Sequence, residues 1–480
     1  MNIRHITIGV VLGAVTLGAQ IPDRSKPPTP GVAPSLKLPA VQKRQLTNGL
    51  PVWIVELHEV PVVQVNLVVT SGSADDPVGK YGIASMTSEM LQSGAGKRSA
   101  LEIADDIDFL GASLETSSGS DYTAVRLHVP LGRLSDALPI MADVALRPTF
   151  PKDELERLRQ DRLTSILQTR NDPAAIVGLA FSRVVYGTSH RFGTAIMGTA
   201  ETIKAMTVED LRAFFVSRYR PDNATLLVVG DVTPDKIVPV LESHFGKWKP
   251  GGAAAPRVAF PEPRAAGPRE VYLVDKPGAP QSQIRIGWVG VPRSTPDYFP
   301  IQVMNTVLGG SFSSRLNTNL RENHGYTYGA SSVFDMLVAP GPFYATAGVQ
   351  TDKTGEALKE FFTELTGILQ PVPDEELTRA RNYLALRFPE RFETTGDIST
   401  NLENLVIYHL ADDYFSKYVS NILAITAADA QRVARKYVQP DRVAVVVVGD
   451  LKTIEPVIRG LNLGPVKVLA IDDIFGPPPR

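Results

Sequence analysis

Two stretches of the chain repeat each other and together decide the fold. Residues 206–232 read MTVEDLRAFFVSRYRPDNATLLVVGDV, and residues 425–451 read ITAADAQRVARKYVQPDRVAVVVVGDL. Matching residues lie 219 positions apart (426 minus 207), namely Thr207 and Thr426, Asp210 and Asp429, Pro221 and Pro440, and Gly230 and Gly449. In both stretches a helical pattern leads into an apolar run ending in Val-Gly-Asp, which predicts a buried strand.

The repeat extends over most of the chain. The same offset joins Pro61 with Pro280, Gln64 with Gln283 and Leu67 with Ile286. A helical pattern in the middle recurs at an offset of 222 (373 minus 151), matching Pro151, Glu154, Leu155, Arg157 and Arg159 with Pro373, Glu376, Leu377, Arg379 and Arg381. Matches at the start, middle and end of two segments indicate an internal duplication.

Each copy has the same predicted order of elements. An alternating strand opens it, VVQVNLVV at 62–69 and SQIRIGWV at 282–289. Helical patterns follow, at 101–110 and 151–169 in the first copy. Few strands alternate strictly with helices. The sequence therefore predicts an α+β fold, a tandem duplication of a mixed-sheet domain with helices packed on one face.

Proline-rich segments set the domain boundaries. Residues 20–40 and 250–268 are rich in proline and poor in large apolar side chains, so both are predicted to be linkers. The predicted organisation is a signal peptide at 1–19, a linker at 20–40, an N-terminal domain at 41–249, a linker at 250–268, a C-terminal domain at 269–468 and a tail at 469–480.

Composition excludes several classes of function. The 480 residues include 43% hydrophobic and 21% charged residues, which is ordinary for a globular protein. A net charge of −2 gives no electrostatic reason to expect nucleic acid or an anionic membrane as a partner. There is no cysteine, so disulfides, thiol nucleophiles and cysteine-ligated metals are excluded.

The N-terminus has the layout of a secretory signal peptide. Arg4 supplies a positive charge, the apolar run 6–19 is too short for a stable transmembrane helix, and Gly18 and Ala19 are small residues suited to cleavage. An uncleaved anchor is the alternative. We expect an exported protein without stable membrane insertion after cleavage, periplasmic if the source is a Gram-negative bacterium, because no later stretch is long and apolar enough to span a bilayer.

Two motifs in the first copy carry a family resemblance. Residues 44–56 read RQLTNGLPVWIVE, and residues 71–91 read SGSADDPVGKYGIASMTSEML. Together they resemble the insulinase/pitrilysin and mitochondrial processing peptidase family, and the resemblance extends over roughly residues 40–465. It implies a unit of two homologous α+β halves, which agrees with the duplication inferred above.

The resemblance also implies a place for zinc, but the ligands are missing. Active members carry an inverted motif, His-x-x-Glu-His, whose two histidines bind zinc while the glutamate acts as general base. Here the motif positions hold Ser85, Ser88 and Glu89, and no glutamate stands near Ile166, where the family places a third ligand. No two of the seven histidines lie at helical ligand spacing. We therefore predict no metal and no cofactor in this chain.

The second copy retains a different motif. Residues 307–332 read VLGGSFSSRLNTNLRENHGYTYGASS. They resemble the glycine-rich segment and Arg/Tyr pair of the family's non-zinc half, which implies that Arg321 and Tyr328 hold the substrate backbone and polarise the scissile carbonyl. Gly309, Gly310 and Ser311 are the implied substrate-binding residues. The alternatives are an Arg321 salt bridge with Glu322 or a neighbour, and a core role for Tyr328; Tyr326 is a competing tyrosine with unfavourable spacing.

The resemblance implies three alternative functions. The preferred one is a non-zinc subunit of a two-chain peptidase, which orients peptide substrate at the zinc site of a homologous partner chain. The second is a non-catalytic structural or peptide-binding member of the family. The third, a self-sufficient metalloprotease, needs ligands that this sequence lacks.

Overall fold

The computed structural model describes residues 40–261 and 267–479. The predicted signal peptide and nearly all of the first predicted linker lie outside these residues. In the described part of the chain, no helix is long and apolar enough to cross a membrane.

The described N-terminal half contains eight strands and eight α-helices. Its strands are β1 (Gln42–Gln45), β2 (Pro51–Glu56), β3 (Val62–Val69), β4 (Gly94–Ala95), β5 (Arg98–Ser99), β6 (Ser113–Ser118), β7 (Thr123–Pro130) and β8 (Ala224–Gly230). Its helices are α1 (Ile83–Met90), α2 (Ala100–Phe109), α3 (Leu134–Leu146), α4 (Lys152–Thr169), α5 (Pro173–Tyr186), α6 (Ala200–Ala205), α7 (Val208–Arg218) and α8 (Pro234–Phe245).

The described C-terminal half contains six strands and nine helices. Its strands are β9 (Glu270–Asp275), β10 (Gln281–Val289), β11 (Thr327–Phe334), β12 (Pro342–Gln350), β13 (Ala444–Gly449) and β14 (Val466–Leu469). Its helices are α9 (Tyr298–Leu308), α10 (Arg315–Asn317), α11 (Thr354–Gly367), α12 (Asp374–Arg387), α13 (Thr395–Ile407), α14 (Tyr414–Leu423), α15 (Ala427–Tyr437), α16 (Leu451–Gly460) and α17 (Ile471–Phe475).

The two six-stranded sheets have the same order and register. The N-terminal sheet runs β1-β2-β8-β3-β7-β6, and the C-terminal sheet runs β14-β9-β13-β10-β12-β11. Gln64 pairs with Val229 on β8, and its counterpart Gln283 pairs with Val448 on β13, so the offset of 219 holds on both strands. The edge strands differ: β1 is antiparallel to β2 whereas β14 is parallel to β9, and β11 has a register shift against β12 that β6 lacks against β7. The predicted α+β fold with mixed sheets is confirmed.

The repeated sequences begin their helices in the same way. The Thr207 side chain accepts a hydrogen bond from the Asp210 amide at the start of α7, and Thr426 accepts one from Asp429 at the start of α15. Both are capping boxes, which satisfy amides that a helix leaves without partners. The repeated prolines Pro151 and Pro373 are likewise the N-cap residues of α4 and α12, immediately before the first helical turn.

Each sheet packs its own helices on one face and a helix of the other half on the opposite face. In the N-terminal sheet, Val65 and Leu67 pack with α1, α2, α3 and α7. The opposite face, with Val68 and Val229, packs with Leu402 and Leu405 of α13. In the C-terminal sheet, α5 covers β10 and β13. Helices α5 and α13 are counterparts at the offset of 222, so the halves exchange equivalent helices.

The predicted C-terminal tail contains part of the fold. Strand β14 ends at Leu469, and α17 packs against α5. Arg170 donates to the carbonyl of Gly476 and forms an ion pair with Asp472. These contacts tie the end of the described chain to the N-terminal half.

Candidate functional site

The helix that carries the zinc-motif positions is held by a buried ion pair. The Asp76 carboxylate accepts from the amides of Gly82 (2.7 Å) and Ala84 (3.0 Å) at the start of α1. Arg191 donates to the same carboxylate through Nε (3.1 Å) and Nη2 (2.8 Å), and both side chains are buried. Gly82 has φ +95°, and a Cβ there would lie 2.3 Å from the Met197 carbonyl oxygen, so this entry to α1 requires glycine.

An arginine lies against the positions where active members bind zinc. Arg162 on α4 donates from Nη1 to Ser85 Oγ (2.9 Å) and from Nε and Nη2 to Glu89 Oε2 (3.0 and 2.6 Å). Its side chain is only 9% exposed. The third position, Ser88, is buried, and its hydroxyl has no hydrogen-bond partner among the described residues. The guanidinium thus bridges the two positions that would carry the histidine ligands.

The residues present do not fit a zinc ion. Zinc takes thiolate, imidazole or carboxylate ligands, and two of the three motif positions hold serine. Arg162 places a permanent positive charge beside Glu89, the one carboxylate in the motif. Across the described ranges, no group of three or more histidine, cysteine, aspartate or glutamate residues is placed to hold a metal ion.

The predicted pair in the C-terminal half lies beside the sheet's edge strand. Arg321 is in a π-helical turn spanning Thr318–Asn323, and Tyr328 is on β11. The register of β11 shifts between Thr327 and Ala330, and Tyr328 falls within this irregularity with 88% of its surface exposed. Bulges of this kind redirect side chains. Tyr328 is therefore a surface residue, and the alternative of a core aromatic is wrong.

Arg321 already has intramolecular partners. Its Nε lies 3.1 Å from the Glu322 carboxylate, which is the salt bridge that the sequence offers as an alternative role. Its guanidinium carbon lies 4.6 Å from the centroid of the Phe312 ring. Both Arg321 and Glu322 are more than a third exposed, so solvent screens this ion pair and its contribution to stability is small.

Packing also explains why glycine stands in the predicted substrate-binding segment. A Cβ on Gly309 would lie 2.4 Å from both the amide nitrogen and the hydroxyl of Ser332 on β11. The Ser332 amide donates to the Gly309 carbonyl (3.0 Å), which joins the end of α9 to β11. Gly310 is exposed, and Ser311 Oγ donates to the Thr306 carbonyl (3.2 Å). Their binding of substrate remains a prediction.

Three residues of these sites were not predicted. Asn317 is buried, donates to the Phe312 carbonyl (2.7 Å) and accepts from the Ala330 amide (3.2 Å), so it ties the glycine-rich segment to β11. Arg162 and Arg191 lie far along the chain from their carboxylate partners, and no local pattern marks them. Asn317 lies within the quoted motif, but its burial and the irregular turn beside it are seen only in the structure.

Two family models match the chain. The model described as insulinase (peptidase family M16) matches residues 52–190, and the model described as peptidase M16 inactive domain matches residues 205–384. The first match includes α1 and α4, and the second includes the segment that carries Arg321 and Tyr328.

Curated proteins and solved structures agree with these matches. A Mycobacterium leprae protein named as an uncharacterized zinc protease is 28% identical over 346 residues, covering 72% of this chain and 76% of its own length. A Streptomyces coelicolor protein with a similar name is 26% identical over 418 residues, covering 86% and 90%. A crystal structure of a peptidase M16 inactive domain from Pseudomonas fluorescens is 26% identical, with TM-score 0.79, and the similarity covers 85% of this chain and 98% of that one. A Helicobacter pylori protease structure has TM-score 0.80 at 23% identity, covers 86% and 100%, and supports the fold.

Proposed function

The chain belongs to the insulinase (M16) peptidase family, and from this premise we propose that it is the non-zinc subunit of a two-chain peptidase. In this role it binds a peptide and orients it for hydrolysis at the zinc site of a homologous partner chain. The observation that carries the proposal is the Arg162 guanidinium, which bridges two of the zinc-motif positions while the Arg/Tyr motif of the other half remains at the surface.

The chemistry left to this chain is positioning and charge stabilisation. The exposed Tyr328 hydroxyl is free to donate to a carbonyl oxygen that gains negative charge as the peptide bond is attacked. Arg321 pairs with Glu322 through Nε, and a guanidinium has further N–H donors for the carbonyls of a peptide. Zinc in the partner would supply the activated water.

The second candidate function is that of a non-catalytic structural or peptide-binding family member. The Arg321–Glu322 ion pair favours it, because Arg321 is then a surface residue with its charge already compensated. The two candidates differ in one measurable respect, which is whether turnover by an assembled complex depends on the Arg321 and Tyr328 side chains.

The test is reconstitution with a homologous chain whose His-x-x-Glu-His motif is intact. We expect Tyr328→Phe, which deletes one donor and keeps the ring, to lower turnover of the complex about 10²–10³-fold. Arg321→Lys retains the charge but loses the planar fork, and should weaken peptide binding as well. Tyr326→Phe is the matched control, since it makes the same chemical change two residues away and should change turnover little.

Assembly is measured in parallel by size-exclusion chromatography. If the complex assembles and turns over peptide equally well with Tyr328→Phe and Arg321→Lys, the pair is structural and the second candidate function is the better account.

Export is part of the proposal, because the signal-peptide pattern at residues 1–19 would place the chain outside the cytoplasm. Recovery of the uncleaved chain in the cytoplasmic fraction would contradict it.

A further inference from the structure

A cavity of about 440 Å³ lies where α5 of the N-terminal half packs on the C-terminal sheet. Its wall is largely apolar and includes Leu179, Leu337 and Phe475. This volume is within the range of small-molecule sites, which are mostly apolar with a few polar groups that orient the ligand. The charged groups in this wall are therefore the informative ones.

Arg285 of β10 reaches this cavity without a counter-charge. Its Nε is buried and has no hydrogen-bond partner among the described residues. Its neighbours are aromatic, with the guanidinium carbon 4.3 Å from the centroid of the Tyr344 ring and 5.9 Å from that of Phe181. Burial lowers the pKa of Arg285, as expected for a cation withdrawn from water.

Arg183 of α5 lines the same cavity and, like Arg285, has no counter-charge among the described residues. Its Nη2 donates to the Ile474 carbonyl (2.7 Å), but its Nε is buried without a partner among the described residues. Burial also lowers the pKa of Arg183. A third lining arginine, Arg191, is paired with Asp76 (2.8 Å), whereas no salt bridge within the described ranges neutralises Arg183 or Arg285.

The equivalent place in the N-terminal half shows how the fold compensates such a charge. There, Glu403 of α13 accepts from Arg126 Nε (2.7 Å), Arg126 Nη2 (2.6 Å) and Asn66 Nδ2 (2.7 Å). Arg285 occupies the position of Asn66 (285 minus 66 is 219), and Phe181 occupies that of Glu403 (403 minus 181 is 222). The C-terminal sheet thus has a cation at this interface, but its helix supplies a phenyl ring where the other supplies a carboxylate.

Asp335 also lines the cavity but does not supply the missing charge. It forms no salt bridge within the described part of the chain, and burial raises its pKa. Neither Arg183 nor Arg285 forms an ion pair with it within the described residues, so Asp335 is not their counter-charge.

We propose that this cavity binds a small carboxylate carried on an apolar body. A buried charge is normally paired, and a carboxylate accepts two parallel hydrogen bonds from one guanidinium. The apolar wall takes the rest of the ligand. Two sources share this chemistry, namely a medium-chain fatty acid and the C-terminus of a short apolar peptide.

The test uses isothermal titration calorimetry on the full mature chain with four probes. Octanoate represents the fatty acid, and N-acetyl-leucine represents the peptide C-terminus. Octanol and N-acetyl-leucinamide are the matching probes without a carboxylate. We expect one carboxylate to bind with 1:1 stoichiometry, at least tenfold more tightly than its uncharged counterpart, and the carboxylate that does so identifies the source.

Substitution then locates the binding. Arg285→Met and Arg183→Met should each weaken carboxylate binding about tenfold or more, since charge-assisted hydrogen bonds are lost. Arg293→Met is the matched control, because Arg293 also packs on aromatic rings, 3.5 Å from the Tyr298 centroid, but does not line the cavity. Equal binding of charged and uncharged probes, no binding by either carboxylate, or unchanged binding in both cavity variants would overturn the proposal. None of these outcomes bears on the zinc-bearing partner, so the proposed function is tested separately.

Discussion

Single side chains decide what the N-terminal half can do. Replacing two histidines and a glutamate by Ser85, Ser88 and Glu89 removes the zinc ligands and the base. The structure adds that Arg162 donates three hydrogen bonds to this cluster, two of them to Glu89. The Arg162 guanidinium thus lies beside α1 where active family members bind zinc. Restoring the histidine and glutamate side chains alone would leave this positive charge in position.

This arrangement predicts a two-step restoration of zinc binding. The triple variant Ser85→His, Ser88→Glu, Glu89→His should bind no stoichiometric zinc, because the Arg162 guanidinium still opposes a metal cation at short range. Adding Arg162→Leu and Ile166→Glu, one helical turn apart on α4, removes that charge and supplies a third ligand. We expect about one zinc per chain in the quintuple variant, measured by mass spectrometry of the metal content. One zinc per chain in the triple variant would show that Arg162 is no obstacle.

At the scale of elements, the decisive feature is the exchange of α5 and α13. Phe181 and Ile176 of α5 are fully buried against the C-terminal sheet, and a fully buried side chain of this size contributes about 1.5–3 kcal/mol. Helix α13 instead brings Glu403 to Arg126 and Asn66 on the N-terminal sheet. One exchanged helix thus packs by apolar contact, while its counterpart combines apolar contact with a buried ion pair.

The ion pair predicts non-additive losses of stability. Glu403→Leu should lower the free energy of unfolding by about 3–5 kcal/mol, because it leaves Arg126 largely buried without its counter-charge. Adding Arg126→Met should recover most of that loss, as measured by urea unfolding. The control is Glu390→Leu, which removes an exposed pair with Arg387 and should cost at most about 1 kcal/mol. If the double variant loses as much free energy of unfolding as the Glu403→Leu and Arg126→Met variants lose together, the two side chains are not coupled.

For the whole molecule, the exchange makes each half incomplete without the other. If the N-terminal half stood alone, Ile176 and Phe181 of α5 would be exposed. Its sheet would also expose Val68 and Val229, which α13 covers in the intact chain. Because this apolar surface is buried between the halves, the covalent link between them is less important for cohesion than the packing. The two halves should therefore behave as one folding unit.

Cleavage of the predicted linker tests this cohesion. A protease site inserted between Ala253 and Ala254, which lie in an irregular segment, can be cut in the folded protein. We expect the two fragments to elute together from a size-exclusion column and to unfold in one thermal transition. If cleavage in dilute buffer instead releases two separately folded fragments, the exchanged helices do not hold the halves together.

Much of this architecture follows from the sequence because its signals are short-range. The 219-residue repeat predicts two equivalent mixed sheets, and VVQVNLVV predicts β3 with both ends correct. The capping boxes at Thr207 and Thr426 involve residues three apart, so the sequence contains their full pattern. The missing zinc ligands are likewise a matter of residue identity at a known spacing.

Other features were decided only by the tertiary structure, because they join residues that are distant in sequence. Arg162 meets Glu89 across 73 positions, and Glu403 meets Asn66 across 337, and no periodicity in the chain encodes such pairings. The exposure of Tyr328 depends on a register shift against β12, which alternation within β11 does not specify. The sequence by itself determined the repeated fold and the loss of the zinc ligands. Packing of α4 on α1 within the N-terminal half determined which charge lies beside the zinc-motif positions. Packing between the halves determined which helices changed places and which arginines were left without a partner.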